Sequence, residues 1–168
     1  MSLNSCIQLC SDILVIVIAD AVTDAMHSCS CLLHALHVLR THGLPSQSLK
    51  DVFHATMIGK LTYCAPAWHG FCLASDYTRL NSFLRRAVKL GLYDKHCATI
   101  TDLFDGADDA FFRKTLYNKQ HIIHTYLPER SDIVYTLRTR QHNKNLIPKT
   151  SDLNDRHFLI RLLYKDCY

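Results

Sequence analysis

The sequence predicts a mainly α fold: a helical hairpin with two or three further helices on its face, a basic extended linker, and a short N-terminal strand or helix. Three observations predict this class. Apolar side chains recur at the i, i+3, i+4, i+7 spacing of a buried helix face over much of the chain. Glycine and proline stand where those stretches end. A chain of 168 residues with 48% hydrophobic residues is long enough for one core.

Composition divides the chain into four parts. They are a poorly defined N-terminal segment (1–27), a helical domain (28–127), a basic extended linker (128–152) and a C-terminal docking helix (153–168). No signal peptide is recognisable at the start, so we expect an intracellular protein whose eight cysteines are mostly reduced thiols.

The N-terminal segment contains the run ILVIVIA at residues 13–19, closed by Asp12 and Asp20. Because the run is short and rich in β-branched residues, we interpret it as a buried strand. It is also far shorter than the ~20 apolar residues that cross a bilayer, so no membrane partner is expected. If nothing covers such a strand, the isolated chain would aggregate rather than fold.

The helical domain begins with two helices that a link of about four residues joins, which predicts an antiparallel hairpin. Gly43 and Pro45 end the first helix, and Ser46 is a plausible N-cap for the second, which runs to Pro66. The predicted buried positions of the first are Cys29, Leu32, Leu33, Leu36 and Leu39, and those of the second are Leu49, Val52, Phe53, Met57, Ile58 and Leu61.

Two more helices complete this domain. Ser75 and Asp76 are predicted to cap the first of them, and Gly91 to end it in a left-handed conformation. The second follows Thr99 or Thr101, with a possible break at Gly106. The predicted inward residues are Leu80, Phe83, Leu84, Ala87 and Val88 in the first, and Phe158, Leu159, Leu162 and Leu163 in the C-terminal helix.

Positive charge is concentrated in the second half of the chain. Residues 1–84 carry 4 basic and 5 acidic side chains, a net charge of −1, whereas residues 85–168 carry 15 and 10, a net of +5. The candidate nucleic-acid-binding residues are Arg85, Arg86, Lys89, Arg138, Arg140, Lys144 and Lys149, with Tyr135 and His142 as possible stacking groups. Phosphate contacts of this kind give salt-dependent binding without sequence preference. The alternative is a solvated helix face beside a disordered basic linker.

The sequence Ala107-Asp108-Asp109 invites comparison with the paired aspartates that hold two metal ions in polymerases. Such a pair needs a tight hairpin between apolar strands, whereas AFFRKTLY follows here with helical spacing. We therefore place Asp108 and Asp109 in the first turn of a helix, where the helix dipole favours acids. No metal or other cofactor is predicted.

Other reactive-looking groups have structural explanations. Trp68, after Pro66, is interpreted as an anchor of the loop between helices rather than as a platform for a base. Cys29 and Cys31 point in different directions on a helix, so they are poorly placed to bind zinc with His34 and His37. Neither Cys97 beside His96 nor Cys64 with His69 has an orienting group for nucleophilic catalysis.

Four segments carry a resemblance to a known family. LLHALHVLRTHGLP (32–45), VFHATMIGKLTYCAPAWHGF (52–71), RLNSFLRRAVKLGLY (79–93) and FLIRLLYKDCY (158–168) resemble the C-terminal end of reverse transcriptases from jockey-like non-LTR retrotransposons. The resemblance covers residues 28–168 in the same order. It implies a thumb and post-thumb region, with the fingers, the palm and the catalytic aspartates encoded before it.

The resemblance implies a fragment without polymerase activity of its own. Its expected partners are RNA or an RNA/DNA duplex and the core domain of a reverse transcriptase, and no small-molecule substrate is expected. A small helical protein-interaction module without a nucleic-acid role remains the alternative.

Overall fold

The computed structural model describes residues 3–63, 65–130, 142–150 and 155–165, with side chains from Val17 onward except those of residues 18 and 19. The chain is mainly helical, as predicted. The part described contains no strand, and its one β feature is an isolated antiparallel bridge between Arg130 and Lys144.

The first helix, α1, spans Leu3–Thr41 and includes the whole ILVIVIA run. The predicted strand at residues 13–19 is therefore wrong. β-Branched residues lower helix propensity only slightly, and neither glycine nor proline interrupts the chain before Gly43. No helix among the described residues combines the length and the apolar character needed to cross a bilayer.

The hairpin turn follows the sequence prediction. Gly43 has a φ of 88°, and the amide of Leu44 donates to the carbonyl of Leu39 at 3.3 Å. This is the hydrogen bond of a Schellman motif, which needs a left-handed residue. The next helix, α2, spans Ser46–Phe53 and packs against α1. Ser46 is its first residue rather than its cap, because Pro45 holds the N-cap position without a side-chain bond.

A π-helical turn, His54–Ile58, continues α2 into α3, Gly59–Tyr63. The apolar residues Phe53, Met57 and Leu61 are spaced four apart, which is wider than a turn of α-helix. A π-turn is wider than an α-turn and so keeps residues at this spacing on one side of the helix. All three side chains are fully buried. A short helix α4, Ala65–Trp68, and a 3₁₀ turn, His69–Phe71, follow.

Helix α5 spans Ala74–Lys89 and has Leu73 as its N-cap, so the predicted cap at Ser75 and Asp76 is wrong and both residues lie in the first turn. The Asp76 carboxylate accepts a hydrogen bond from the Leu73 amide at 3.0 Å, so Asp76 satisfies the helix start from inside the first turn. Its predicted inward residues are buried or partly buried. Gly91 follows with a φ of 68°, as predicted for a left-handed C-terminus.

Helix α6 spans Ile100–Tyr117 without a break, so the predicted interruption at Gly106 is wrong. Thr99, one of the two predicted starting points, caps this helix: its hydroxyl accepts from the Asp102 amide, and the Asp102 carboxylate accepts from the Thr99 amide at 2.9 Å. Glycine in a helix costs about 1 kcal/mol, which the cap and the burial of Phe104 and Phe112 offset.

Two further elements are described after α6: a 3₁₀ turn, Ile122–Tyr126, and helix α7, Phe158–Tyr164. The described parts of the predicted linker, 128–130 and 142–150, contain no helix. All four predicted inward residues of α7 are buried.

In the hairpin, by contrast, Leu32, Leu39 and Val52 were predicted to be inward and are exposed. The buried stripe on α1 and α2 is narrower than the apolar stripe in the sequence.

Buried apolar residues form two clusters. The main core joins α1, α2, α3, α5 and the start of α6, from Val22 to Phe104. The C-terminal core is smaller and contains Phe112, Phe158, Leu159, Leu162 and Leu163. Helix α6 contributes to both cores and packs on α3, α4, α5 and α7.

Candidate nucleic-acid interface

The outer face of α5 is basic. Arg79, Arg86 and Lys89 follow one another at i, i+7 and i+10, so they lie on one side of the helix, with Arg85 beside them. All four side chains are exposed. The opposite side is held in the main core by Leu80, Phe83, Leu84 and Ala87, which fixes the direction of the charges.

Helix α1 lies alongside this face and runs in the same direction. Near the start of α5, Arg79 Nη1 donates to Thr23 Oγ1 at 3.2 Å. Near its end, the guanidinium of Arg40 donates to the carbonyl of Leu90. An open groove of about 460 Å³ lies between the two helices. Its lining consists of Thr23, Met26, His27, Ser30, Thr78, Arg79, Ser82 and Arg86.

The lining of this groove suits an anion. Four hydroxyls, two guanidiniums and an imidazole line it, and no carboxylate is among its described residues. The nearest acid of α5, Asp76, is buried: one carboxylate oxygen accepts from the Leu73 amide, and the other lies 3.9 Å from Arg79 Nη1. Hydroxyl and guanidinium groups are the side chains that most often contact phosphate oxygens and sugars.

The other predicted basic residues lie elsewhere or outside the described residues. Arg138, Arg140 and Tyr135 fall in the segment 131–141, which the structure does not describe. Lys149 is engaged with the C-terminal core, because its Nζ lies 4.5 Å from the centre of the Tyr164 ring and 3.7 Å from Asp155 Oδ2.

Lys144 and His142 also belong to that side of the molecule. The Lys144 amide donates to His142 Nδ1 at 3.1 Å. His142 Nε2 lies 3.0 Å from the Leu163 carbonyl oxygen, and its ring packs edge-on against Phe112. The imidazole is thus used inside the chain, which leaves it poorly placed to stack on a base. The structure brings Arg85, Arg86 and Lys89 together on α5 and places Lys144 and Lys149 against a different core.

Trp68 lies within the packing between α4 and α6. Its ring meets Phe104 edge-on with 5.1 Å between ring centres, and the side chain is partly buried against the main core. Most of its surface is thereby withdrawn from a base.

The aspartate pair lies in the middle of α6, so its predicted position in the first turn is wrong. Asp108 is only 2% exposed, and its Oδ2 lies 2.8 Å from Arg161 Nη1 and 2.7 Å from His69 Nε2. Asp109 Oδ1 lies 2.7 Å from Lys165 Nζ. Each carboxylate therefore meets a cation from the C-terminal end of the chain. No group of three potential metal ligands occurs among the described residues.

His69 joins Asp108, Arg161 and Tyr77 into one side-chain cluster. Its Nε2 faces the carboxylate of Asp108 and also Arg161 Nη1 at 2.6 Å, while its Nδ1 lies 3.1 Å from the Tyr77 hydroxyl. Burial, together with the nearby Cys72, raises the pKa of Tyr77 to about 12, so the hydroxyl stays neutral and able to donate. Two buried atoms in the described part of the cluster, Asp108 Oδ1 and Arg161 Nη2, have no hydrogen-bond partner.

No protein-family model, curated protein or solved structure matches this chain. The resemblance to reverse transcriptases therefore stays an expectation from the sequence.

The sequence reasoning missed the contribution of α1 to the groove. Thr23, His27 and Ser30 follow at i, i+4 and i+7, a polar stripe beside the buried stripe of Val22, Met26 and Cys29. The signal was present in the sequence, but the strand interpretation of residues 13–19 hid it by starting the first helix too late. His69 and Arg161 were missed because their partners lie far away in sequence.

Proposed function

We propose that this chain binds the sugar-phosphate backbone of RNA or of an RNA/DNA duplex through the α1–α5 groove and the basic face of α5. The observation that carries the proposal is the exposed alignment of Arg79, Arg86 and Lys89 beside a groove that offers donors and no carboxylate. Contacts of this type position a nucleic acid without reading its sequence.

The proposal includes the origin that the sequence suggests. The chain would be the thumb and post-thumb end of a non-LTR reverse transcriptase, holding template and primer beside a catalytic core encoded elsewhere. It would have no polymerase activity alone. The modest net charge of +4 supports weak binding at physiological salt rather than tight binding.

The test is a titration of labelled RNA duplex and RNA/DNA hybrid with the full chain at several salt concentrations, followed by fluorescence anisotropy. The variant is R86E/K89E, which reverses two charges of the basic face. Since each phosphate contact contributes about 0.9 to the slope of log K against log salt for duplex DNA, the variant should flatten the slope by about 2 and weaken binding at least tenfold at low salt.

Two controls make the result specific. R113E reverses an exposed charge on α6, away from the groove, and should change affinity by less than threefold or so. R138E/R140E asks whether the linker also contributes. Absence of binding by the unmodified chain at low salt contradicts the proposal, and so does an equal loss for R113E and R86E/K89E. Primer extension by the purified chain would contradict its lack of activity.

A further inference from the structure

A cavity of about 610 Å³ lies between α4, the 3₁₀ turn Ile122–Tyr126 and the start of α7. Its walls include Pro66, Ala67, Phe71, Phe111, Phe158 and Leu159, and its polar groups are those of two tyrosines and a histidine. Its volume lies within the range of about 300–1,000 Å³ that is typical of ligand pockets in proteins. None of the contacts of the nucleic-acid groove reaches it.

The cavity continues into a shallower groove along α6. That groove has a volume of about 450 Å³, shares Tyr63, Pro66 and Phe111 with the cavity, and extends past Ala110 to Lys114. The two depressions form one elongated apolar surface that is deep at one end. An elongated surface of this form matches an extended apolar face better than a compact small molecule.

Large, solvent-exposed aromatic side chains border this surface. Tyr63 is 86% exposed, Tyr126 is 69% exposed, and both line the cavity. Tyr117 is 81% exposed and lies on the same face of α6 as Ala110 and Lys114, seven residues after the first and three after the second. We call the cavity, the groove and these three residues the tyrosine surface. Tyrosine is enriched at the anchors of protein interfaces because it offers a large rigid area and a polar tip.

The charged side chains that follow Asp109 in α6 and in the turn after it are basic, whereas the aspartates of this helix lie at positions up to Asp109. Residues 110–128 contain Arg113, Lys114 and Lys119 and no aspartate or glutamate. Lys114 lines the groove itself, and the side chains of Arg113 and Lys119 are exposed. A partner that combines apolar side chains with carboxylates would therefore match both the shape and the charge of the surface.

We propose that the tyrosine surface binds an amphipathic helix of another protein, with acidic side chains flanking its apolar face. An apolar side chain of that helix enters the cavity, a second lies along the groove, and a carboxylate meets Lys114. A nucleic acid fits less well, because a single cation lines the groove and the cavity wall offers few donors to phosphate. This binding is separate from that of the α1–α5 groove.

The test is a selection from a phage-displayed library of helix-forming peptides about 15 residues long against the full chain. A67W serves as the counter-target, because Ala67 is an exposed part of the cavity wall and tryptophan there fills the cavity from outside the core. Y126E is a second blocking variant at a solvent-exposed position. We expect enriched peptides with apolar residues at i, i+3 or i+4, and i+7, and with a negative net charge.

The enriched peptides are then synthesised and titrated against each variant. We expect at least tenfold weaker binding to A67W and Y126E, about tenfold weaker binding to K114E, and unchanged binding to R86E/K89E, with all variants unfolding at temperatures close to that of the unmodified chain. Binding at low salt should be tighter, since a carboxylate at the rim acts through a screened field.

Each other outcome overturns the proposal. Failure to enrich helix-forming peptides removes the protein partner, and enrichment of basic or neutral peptides removes the role of Lys114. Saturable binding of 8-anilinonaphthalene-1-sulfonate that A67W abolishes, without any enriched peptide, makes the cavity a small-molecule site. RNA that competes with the peptides assigns the surface to nucleic acid, and concentration-dependent dimerisation that Y126E abolishes assigns it to a second copy of this chain.

Discussion

The main core and the C-terminal core are held together in different ways. In the main core, Phe53, Phe83 and Phe104 are fully buried among aliphatic residues from four helices. In the C-terminal core, five buried apolar residues are supplemented by two ion pairs between α6 and the end of the chain. A seven-residue helix such as α7 cannot persist alone, so its position depends on contacts with α6.

The ion pairs restrict the position of α7 on α6 more than the burial of its apolar side chains does. Apolar surfaces tolerate sliding and repacking, whereas Arg161 must reach one carboxylate oxygen. The space is also restricted: a Cβ atom added to Gly70 would lie 2.6 Å from Arg161 Nε. We infer that the main core supplies most of the stability, and that the buried ion pair supplies register at the C-terminal core.

Truncation inside the main core should have the largest effect. F83A removes a fully buried ring that stacks on Phe53 with 6.2 Å between ring centres, and should lower the free energy of unfolding by about 4 kcal/mol. Urea denaturation followed by circular dichroism measures it. The control V52A removes an exposed side chain from α2 and should change stability by less than about 0.5 kcal/mol. Similar losses for both variants would mean that this cluster is not the stabilising core.

Asp108 and Asp109 allow the cost of losing a buried ion pair to be compared with the cost of losing a more exposed one. D108A leaves Arg161 with an unpaired charge and should cost about 3 kcal/mol. D109A removes the same charge from a more exposed pair with Lys165, so its cost should be below about 1 kcal/mol. Urea denaturation gives both values, and hydrogen exchange at 158–164 shows whether the loss is local to α7.

A double variant tests what the buried pair contributes. Because Asp108 Oδ1 and Arg161 Nη2 are buried without partners, the pair carries a desolvation cost. D108L/R161M, which replaces both charges with apolar groups, should recover most of the stability that D108A loses. If it stays as unstable as D108A, the ion pair itself is stabilising and not only a device for register.

Local signals explain the parts of the fold that the sequence predicted. The turn at Gly43, the stop at Gly91 and the helix start after Thr99 each depend on a few adjacent residues, and each is present. The length of α1 was missed because the β-branched residues of 13–19 were given more weight than the absence of glycine and proline around them. Propensity of that size is readily overridden in a long helix.

The interactions of the C-terminal core could not be predicted in the same way. His69 and Asp108 are 39 residues apart, and Arg161 and His69 are 92 apart, so no spacing rule connects them. One local sign was present: Asp108 lies between Phe104 and Phe112 at four-residue intervals, so a carboxylate falls inside an apolar stripe. Such a position indicates a buried partner without naming it.

A smaller effect is expected at the start of α6, outside both cores. Hydrogen bonds from the Thr99 side chain and amide lower the pKa of Asp102 below its ordinary value of 3.8. A carboxyl group whose pKa is lowered in the folded state stabilises the protein above its ordinary pKa, and this contribution is lost as the pH falls through the lowered value. T99A should cost about 1 kcal/mol at neutral pH.

The pH dependence follows from the same contact. Thermal unfolding of D102A and the unmodified chain should differ at pH 7 and converge as the pH falls through the lowered pKa of Asp102. D105A, which removes an exposed carboxylate from the next turn, serves as the matched control for loss of charge. A difference between D102A and the unmodified chain that persists unchanged at low pH would show that the cap does not depend on the ionised carboxylate.

The smallest expected effect is that of D108A on the rate of Cys29 alkylation, and it shows whether the two cores open independently. Cys29 is fully buried in the main core, where burial raises its pKa, whereas Cys31, two residues later, is exposed. Alkylation at pH 8, with site-resolved mass spectrometry, should therefore modify Cys31 rapidly and Cys29 only when the main core opens. D108A should leave the Cys29 rate within about twofold of the unmodified chain if α7 detaches alone, while F83A accelerates it by orders of magnitude. Equal acceleration by the two variants would mean that both cores unfold in one cooperative step, and the buried ion pair would then stabilise the whole chain rather than the position of its last helix.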